Sequence, residues 1–112
     1  MLTTVVELAE FVRQAKAVMT EAERRELVDY LAANPEAGVS LGGGLRKVRF
    51  AREGGGKSGG FRSVHYYQVE RDLPVFLMTV FAKNDKANLT KTEEAAMAAV
   101  VERIVAAYRR TK

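Results

Sequence analysis

The residues best suited to chemistry in this chain are basic side chains concentrated in one stretch of the sequence. Between Gly42 and Arg62 six lysines and arginines stand against one acid, Glu53, so this stretch carries a net charge of +5. The whole chain of 112 residues carries only +4. A local cationic excess of this kind indicates a polyanionic partner. The six residues are Arg46, Lys47, Arg49, Arg52, Lys57 and Arg62.

Four basic residues are expected to converge if the strands that carry them form one meander. Lys47 and Arg49 share one side of a predicted strand, because successive side chains alternate between the two faces. Arg62 begins the next predicted strand, and Lys83 follows the end of the third. Antiparallel order brings the start of the second strand close to the end of the first and of the third. Arg62 is therefore expected at the centre.

Such a cluster suits the recognition and cleavage of a phosphodiester. Arginine presents a planar fork to phosphate oxygens, and lysine presents a compact charge. Cleavage of RNA also needs a base for the 2′-hydroxyl, cations on the phosphorane and an acid for the leaving oxygen. A lysine crowded by other cations has its neutral form favoured and could act as the base, with no metal required. Charge alone predicts only a phosphate-binding patch, since basic residues on a strand are most often a solvated surface.

Other residues that invite a functional interpretation are better explained structurally. The chain has no cysteine and a single histidine, which excludes thiolate sites and makes a metal centre improbable. His65 stands alone in an apolar strand, where a histidine is usually structural. Tyr66 and Tyr67 point to opposite faces, and core packing is the expectation for both. The glycines around Lys57 lack the strand, spacing and following helix of a phosphate-binding P-loop.

The N-terminal half is predicted to be mainly helical. Residues 2–8 favour a short strand, with a helix start as the alternative, and a first helix is predicted over Ala9–Val18. Thr20 and Glu23 form a capping-box pattern that begins a second helix, which ends near Ala33 because a proline follows Asn34. The glycine-rich stretch after it predicts a turn leading into extended chain. The apolar side of the second helix is expected to hold Leu27, Tyr30 and Leu31.

The C-terminal half is predicted to form the sheet and a last helix. Strands are expected over Leu45–Phe50, Phe61–Glu70 and Val75–Ala82, with a flexible basic loop between the first two. A second capping box, Thr90 to Glu93, begins the last helix. Its expected buried positions are Ala96, Val100, Ile104 and Ala107.

Together these elements predict one α+β domain over residues 1–112. Its small antiparallel sheet has three core strands, with a possible fourth at the N-terminus, between an N-terminal helical hairpin and a C-terminal helix. A cytoplasmic location is expected, since the sequence shows neither a secretory signal pattern nor an apolar run long enough for a membrane.

The residues of the predicted sheet also resemble a known family. The resemblance rests on four segments in order: Gly44–Arg49, Gly54–Arg62, Val64–Tyr67 and Leu77–Asp85. They are similar to the core pattern of RelE/HigB toxins of type II toxin–antitoxin modules. The resemblance implies a fold like that of microbial ribonucleases and metal-independent cleavage of messenger RNA, commonly in the ribosomal A site, without cofactors. It also implies a cognate antitoxin, expected to be a helix-turn-helix protein of the HigA kind.

The resemblance also suggests roles for individual residues. Lys47 and Arg49 match the family's basic pair, in which a lysine can act as general base. Arg62 matches the arginine that stabilises the phosphate, and Lys83 matches the basic position closing the last strand. Arg46, Arg52 and Lys57 are expected to contact RNA.

Two departures from the RelE pattern bear on the mechanism. Typical members carry an arginine after the lysine of the last strand and a tyrosine further on, whereas this chain has Asn84 and then Leu89 and Thr90. HigB-like members also show Lys-Asn at this point, so the difference is interpreted as subfamily character. Two alternatives stay open: a ParE-like toxin that binds DNA gyrase without cleaving RNA, and a degenerate toxin kept for antitoxin binding.

Overall fold

The computed structural model describes residues 2–51, 60–69, 72–82 and 89–110. Three helices and five strands lie within these ranges, which confirms the predicted α+β class. In chain order the elements are β1 (Val5–Glu7), α1 (Ala9–Val18), α2 (Glu21–Ala33), β2 (Val39–Gly42), β3 (Leu45–Phe50), β4 (Phe61–Tyr66), β5 (Val75–Ala82) and α3 (Lys91–Arg110).

The strands form one mixed sheet in the order β1-β5-β4-β3-β2. Its centre is the predicted meander, in which β3, β4 and β5 pair antiparallel to one another. The expected N-terminal strand is confirmed as β1, but it pairs parallel to β5, with Val5 opposite Val75. The small antiparallel sheet that the sequence predicted is therefore mixed at this edge, because β1 and β5 are not consecutive strands joined by a hairpin.

The other edge strand, β2, was not predicted as a strand. It pairs antiparallel with β3, and Gly42, Gly43 and Gly44 form the tight connection between them with positive φ angles. Glycine adopts such angles without the steric penalty that a Cβ imposes. The glycines therefore mark a hairpin turn, and the extended chain begins earlier than the pattern indicated.

Both capping boxes form as predicted. The Thr20 hydroxyl accepts from the Glu23 amide and the Glu23 carboxylate accepts from the Thr20 amide, at 3.1 and 2.8 Å. Thr90 and Glu93 make the same reciprocal pair at the start of α3. These contacts satisfy amides that have no partner within a helix, which explains why both helices begin where the sequence indicates.

The sheet is covered on both faces. Helices α1 and α2 pack on one face through Phe11, Ala15, Leu27 and Leu31. Helix α3 packs on the other face through residues that include Val101 and Val105. Each face of the central strands therefore buries its own set of side chains, as expected for a sheet between two helical layers.

Some predicted positions differ from the structure. Tyr30 is exposed, because the buried side of α2 is narrower than its apolar residues suggested. Ala96 and Ala107 are also exposed, since α3 turns Val101 and Val105 toward the sheet. Strand β4 ends at Tyr66, where the amide of Tyr67 donates to the Gly44 carbonyl and the chain begins to turn.

Within the described residues no helix is long and apolar enough to cross a membrane.

Candidate nucleic-acid interface

Three of the predicted site residues share one face of the sheet. Arg49 on β3 lies directly opposite Arg62 on β4, and Lys47 lies opposite Val64 two residues away. Side chains of directly opposed residues project to the same face, so Lys47, Arg49 and Arg62 lie together on the face that carries α3. We call these three residues the cationic surface. The structure thus confirms that β3 and β4 bring them together.

Arg62 lies at the centre of this surface and is only 9% exposed. Arg49, its neighbour, is exposed, and Lys47 is half-buried. Neither arginine forms an ion pair with a carboxylate among the residues that the structure describes. Two opposed like charges destabilise a sheet, and a buried charge is costly unless an opposite charge approaches it. This geometry therefore suits an anionic ligand.

One neighbour of the cationic surface was missed by sequence reasoning. Phe81 on β5 is opposite Arg62 on the side away from Arg49, so Arg49, Arg62 and Phe81 form one row across three strands. Phe81 is 8% exposed. The sequence of β5 is almost uniformly apolar and does not distinguish Phe81 from its neighbours. Only the register between strands decides which residue lies beside Arg62.

Arg46 lies on the opposite face of β3, away from the cationic surface. Its guanidinium donates to the carbonyls of Ala37 and Gly38, each at 3.2 Å, and so holds the connection between α2 and β2. The alternation of the strand explains this placement, because Arg46 and Lys47 are adjacent and must point to opposite faces. The structure does not bring Arg46 to the other basic residues.

His65 on β4 also contacts the connection between α2 and β2. It is fully buried, and its Nε2 donates to the Pro35 carbonyl at 2.8 Å, which makes Nδ1 the unprotonated nitrogen. Burial lowers the pKa of His65 below its ordinary value, an effect that the bond to Pro35 opposes and nearby Arg46 reinforces. His65 is therefore a core residue that stays neutral near pH 7, as its lone position in an apolar strand predicted.

The remaining predicted site residues, Arg52, Lys57 and Lys83, lie outside the described residues. Ala82, which precedes Lys83, pairs with Phe61, which precedes Arg62. The predicted order of the three strands is thus confirmed up to the end of β5. Among the described residues no group of three or more His, Asp or Glu side chains is arranged to hold a metal ion.

Comparison with known families identifies the chain. Residues 4–111 match the family described as the RelE toxin of the RelE/RelB toxin–antitoxin system, a match that spans nearly the whole sequence. Toxins of such systems pair with antitoxins. The fold agrees with this assignment, since the matched region comprises the mixed sheet and all three helices. The chain belongs to the RelE toxin family.

Proposed function

We propose that this toxin is a metal-independent endoribonuclease that cleaves messenger RNA on the ribosome and so inhibits translation. The catalytic residues in this proposal are Lys47, Arg49, Arg62 and Lys83. Arg52 and Lys57 contact the RNA backbone, and Arg46 holds the chain that supports β3. A single domain over residues 1–112 carries the activity, and a helix-turn-helix antitoxin of the HigA kind silences it.

The observation that carries the proposal is the pairing of Arg49 with Arg62. The two cations are directly opposed, Arg62 is nearly buried, and no described carboxylate neutralises either of them. A phosphate group would relieve the repulsion and supply the missing opposite charge. A surface that only binds protein has no need for two opposed arginines.

The proposed roles follow from the chemistry of these side chains. Arg49 and Arg62 hold the phosphate that is attacked and stabilise the negative charge that develops on its oxygens. Lys47 accepts the proton of the 2′-hydroxyl, whose oxygen then attacks the phosphorus as the bond to the 5′-oxygen breaks. The leaving 5′-oxygen takes a proton from a protonated side chain, a role that we assign to Lys83. The products are a 2′,3′-cyclic phosphate and a 5′-hydroxyl.

The proposal can be tested by mapping RNA ends in cells that express the chain. Primer extension on cellular messages should reveal new 5′ ends in phase with codons. Arg62→Ala should reduce their yield by about a hundredfold or more, the scale expected when a cation that stabilises the transition state is removed. Arg25→Ala provides the matched control, because Arg25 is an exposed arginine on α2, which packs on the other face of the sheet.

The outcomes separate the candidate activities. Cleavage that persists undiminished in Arg62→Ala would remove Arg62 from the mechanism. A defect in DNA supercoiling without new RNA ends would instead identify a ParE-like inhibitor of gyrase. Circular dichroism of both variants checks that each one folds.

A further inference from the structure

The connection between α2 and β2, residues 34–38, lies directly against the strand that carries Lys47. Gly38 has a φ of 91°, and a Cβ at this position would lie 2.3 Å from the Lys47 carbonyl oxygen and 2.8 Å from a methyl group of Val48. The next residue, Val39, begins β2 and pairs with Lys47. The chain that leaves α2 therefore contacts the backbone of the residue proposed as the general base.

Hydrogen bonds from two side chains hold this connection in place. The Arg46 guanidinium donates to the carbonyls of Ala37 and Gly38. His65 lies opposite Arg46 on β4 and donates to the Pro35 carbonyl. The side chains of β2 are mostly exposed, so burial of apolar surface contributes little to the attachment of this edge strand. Its position on β3 therefore depends mainly on backbone pairing and on these side-chain hydrogen bonds.

The register of β2 limits its influence to one part of the cationic surface. Strand β2 pairs with β3 from Leu45 to Lys47. Arg49 lies beyond this pairing and is held by β4, where Arg62 is its partner. A displaced β2 would therefore shift Lys47 and leave the two arginines in place. A base must lie within hydrogen-bond reach of the proton that it accepts, and a misplacement of about 1 Å can slow a reaction about a hundredfold.

We propose that Arg46 is a positioning residue for RNA cleavage, which fastens the α2–β2 connection to β3 and so fixes the backbone of Lys47. This inference rests on the proposed function, in which Lys47 accepts the proton of the 2′-hydroxyl. Arg46 lies on the face of β3 opposite the cationic surface, so it acts through Lys47 and does not contact the RNA. Its charge matters less than its planar fork, which reaches two carbonyls at once.

Two variants separate the fork of Arg46 from its charge. Arg46→Lys keeps the charge but replaces the fork with a single ammonium group, and Arg46→Gln keeps an amide donor without the charge. Arg25→Lys provides the matched control, because Arg25 is an exposed arginine on α2, away from both β2 and the cationic surface. Circular dichroism of each variant checks that it folds.

The proteins are compared in single-turnover cleavage of a defined message on ribosomes, with the full chain in excess. Both substitutions at Arg46 should lower the maximum rate about tenfold or more, because Lys47 is misplaced. The protein concentration that gives half of this rate should stay within about twofold of the wild-type value, because Arg49 and Arg62 still hold the phosphate. Partial unfolding alone would have the opposite effect, since it lowers the concentration of active protein and leaves the maximum rate unchanged.

Hydrogen exchange provides a second measurement that does not depend on activity. In both Arg46 variants the backbone amides that join β2 to β3 should exchange about fivefold or more faster, the scale of a lost hydrogen bond. The amides that join β3 to β4 around Arg62 should keep their wild-type exchange rates. This difference would locate the effect of Arg46 on the side of β3 that faces β2.

Three results would overturn the inference. They are a wild-type maximum rate in Arg46→Lys, a raised half-saturating concentration at an unchanged maximum rate in Arg46→Gln, and unchanged exchange of the β2 amides. The second of these results would assign Arg46 to RNA contact. A wild-type chain that does not cleave RNA would overturn the proposed function and this inference with it. Equal cleavage by the wild type and both Arg46 variants would overturn this inference alone.

Discussion

Arg49 and Arg62 occupy directly opposed positions on adjacent antiparallel strands, and their side chains project to the same face of the sheet. Arg62 is 9% exposed, whereas Arg49 is open to solvent. Directly opposed charges of like sign oppose strand pairing, so this arrangement lowers the stability of the folded chain. Such an arrangement suits a site that binds an anion, since an anionic ligand between the two arginines would relieve the repulsion.

The first prediction concerns the stability of the chain without RNA. Replacing Arg62 with leucine removes the like charge opposite Arg49 and buries an apolar side chain in its place, so the free energy of unfolding should rise by about 0.5–1 kcal/mol. Urea denaturation of the purified variant measures the change. RNA cleavage should be lost in the same variant, so stability and activity move in opposite directions. A fall in stability would show that Arg62 makes a favourable contact in the folded chain.

The second prediction concerns pH. Burial lowers the pKa of His65 in the folded chain, so the unfolded chain takes up a proton first as the pH falls. Stability should be constant above about pH 6.5, the ordinary pKa of histidine, and should decrease below it until the lowered pKa is reached. The slope should be positive in this range and at most about 1.4 kcal/mol per pH unit, the value for uptake of one proton.

Denaturation of the wild type and of His65→Gln between about pH 7.5 and 5.5 tests this expectation, because histidine is the side chain that ordinarily titrates there. His65 is the only histidine of the chain, so the variant should lose most of the pH dependence. The substitution also removes the packing of the imidazole, which lowers stability equally at every pH. Parallel slopes in the two proteins would refute the assignment to His65.

The third prediction compares two glycines near the β2 strand. Gly38 and Gly43 both have positive φ, at 91° and 64°. A Cβ on Gly38 would lie 2.3 Å from the Lys47 carbonyl oxygen, whereas one on Gly43 would meet nothing within 4 Å. Gly43→Ala should therefore cost only the ~1–2 kcal/mol of the left-handed conformation. Gly38→Ala should cost about 3 kcal/mol or more, since the backbone of β3 must also move.

Thermal unfolding of the two alanine variants measures this difference. The Gly38 carbonyl also accepts a hydrogen bond from the Arg46 guanidinium. Gly38→Ala should therefore also disturb the connection between α2 and β2. Equal destabilisation by the two substitutions would mean that β3 can move away from a Cβ at Gly38 at little cost in stability.

Local patterns in the sequence were sufficient to predict those helices and strands whose signals, such as periodicity and capping contacts, lie within one segment of the chain. The bounds of α1, β3 and β5 agree with the predictions for Ala9–Val18, Leu45–Phe50 and Val75–Ala82. The capping boxes at Thr20 and Thr90 placed the starts of two helices, because each box is a contact between residues three apart. The order of the antiparallel strands also sufficed to predict Arg62 beside Lys47 and Arg49.

Contacts between distant segments depend on how the sheet assembles. The parallel pairing of β1 with β5 joins residues about seventy positions apart, and no local pattern records it. Phe81 stands beside Arg62, and Arg46 holds the α2–β2 connection, because of the register and twist of the assembled sheet. A shift of one residue in register would exchange the two faces of a strand. The order of residues along the chain therefore specifies which cations the strands carry, whereas the packing of the sheet decides which of them lie together on one face.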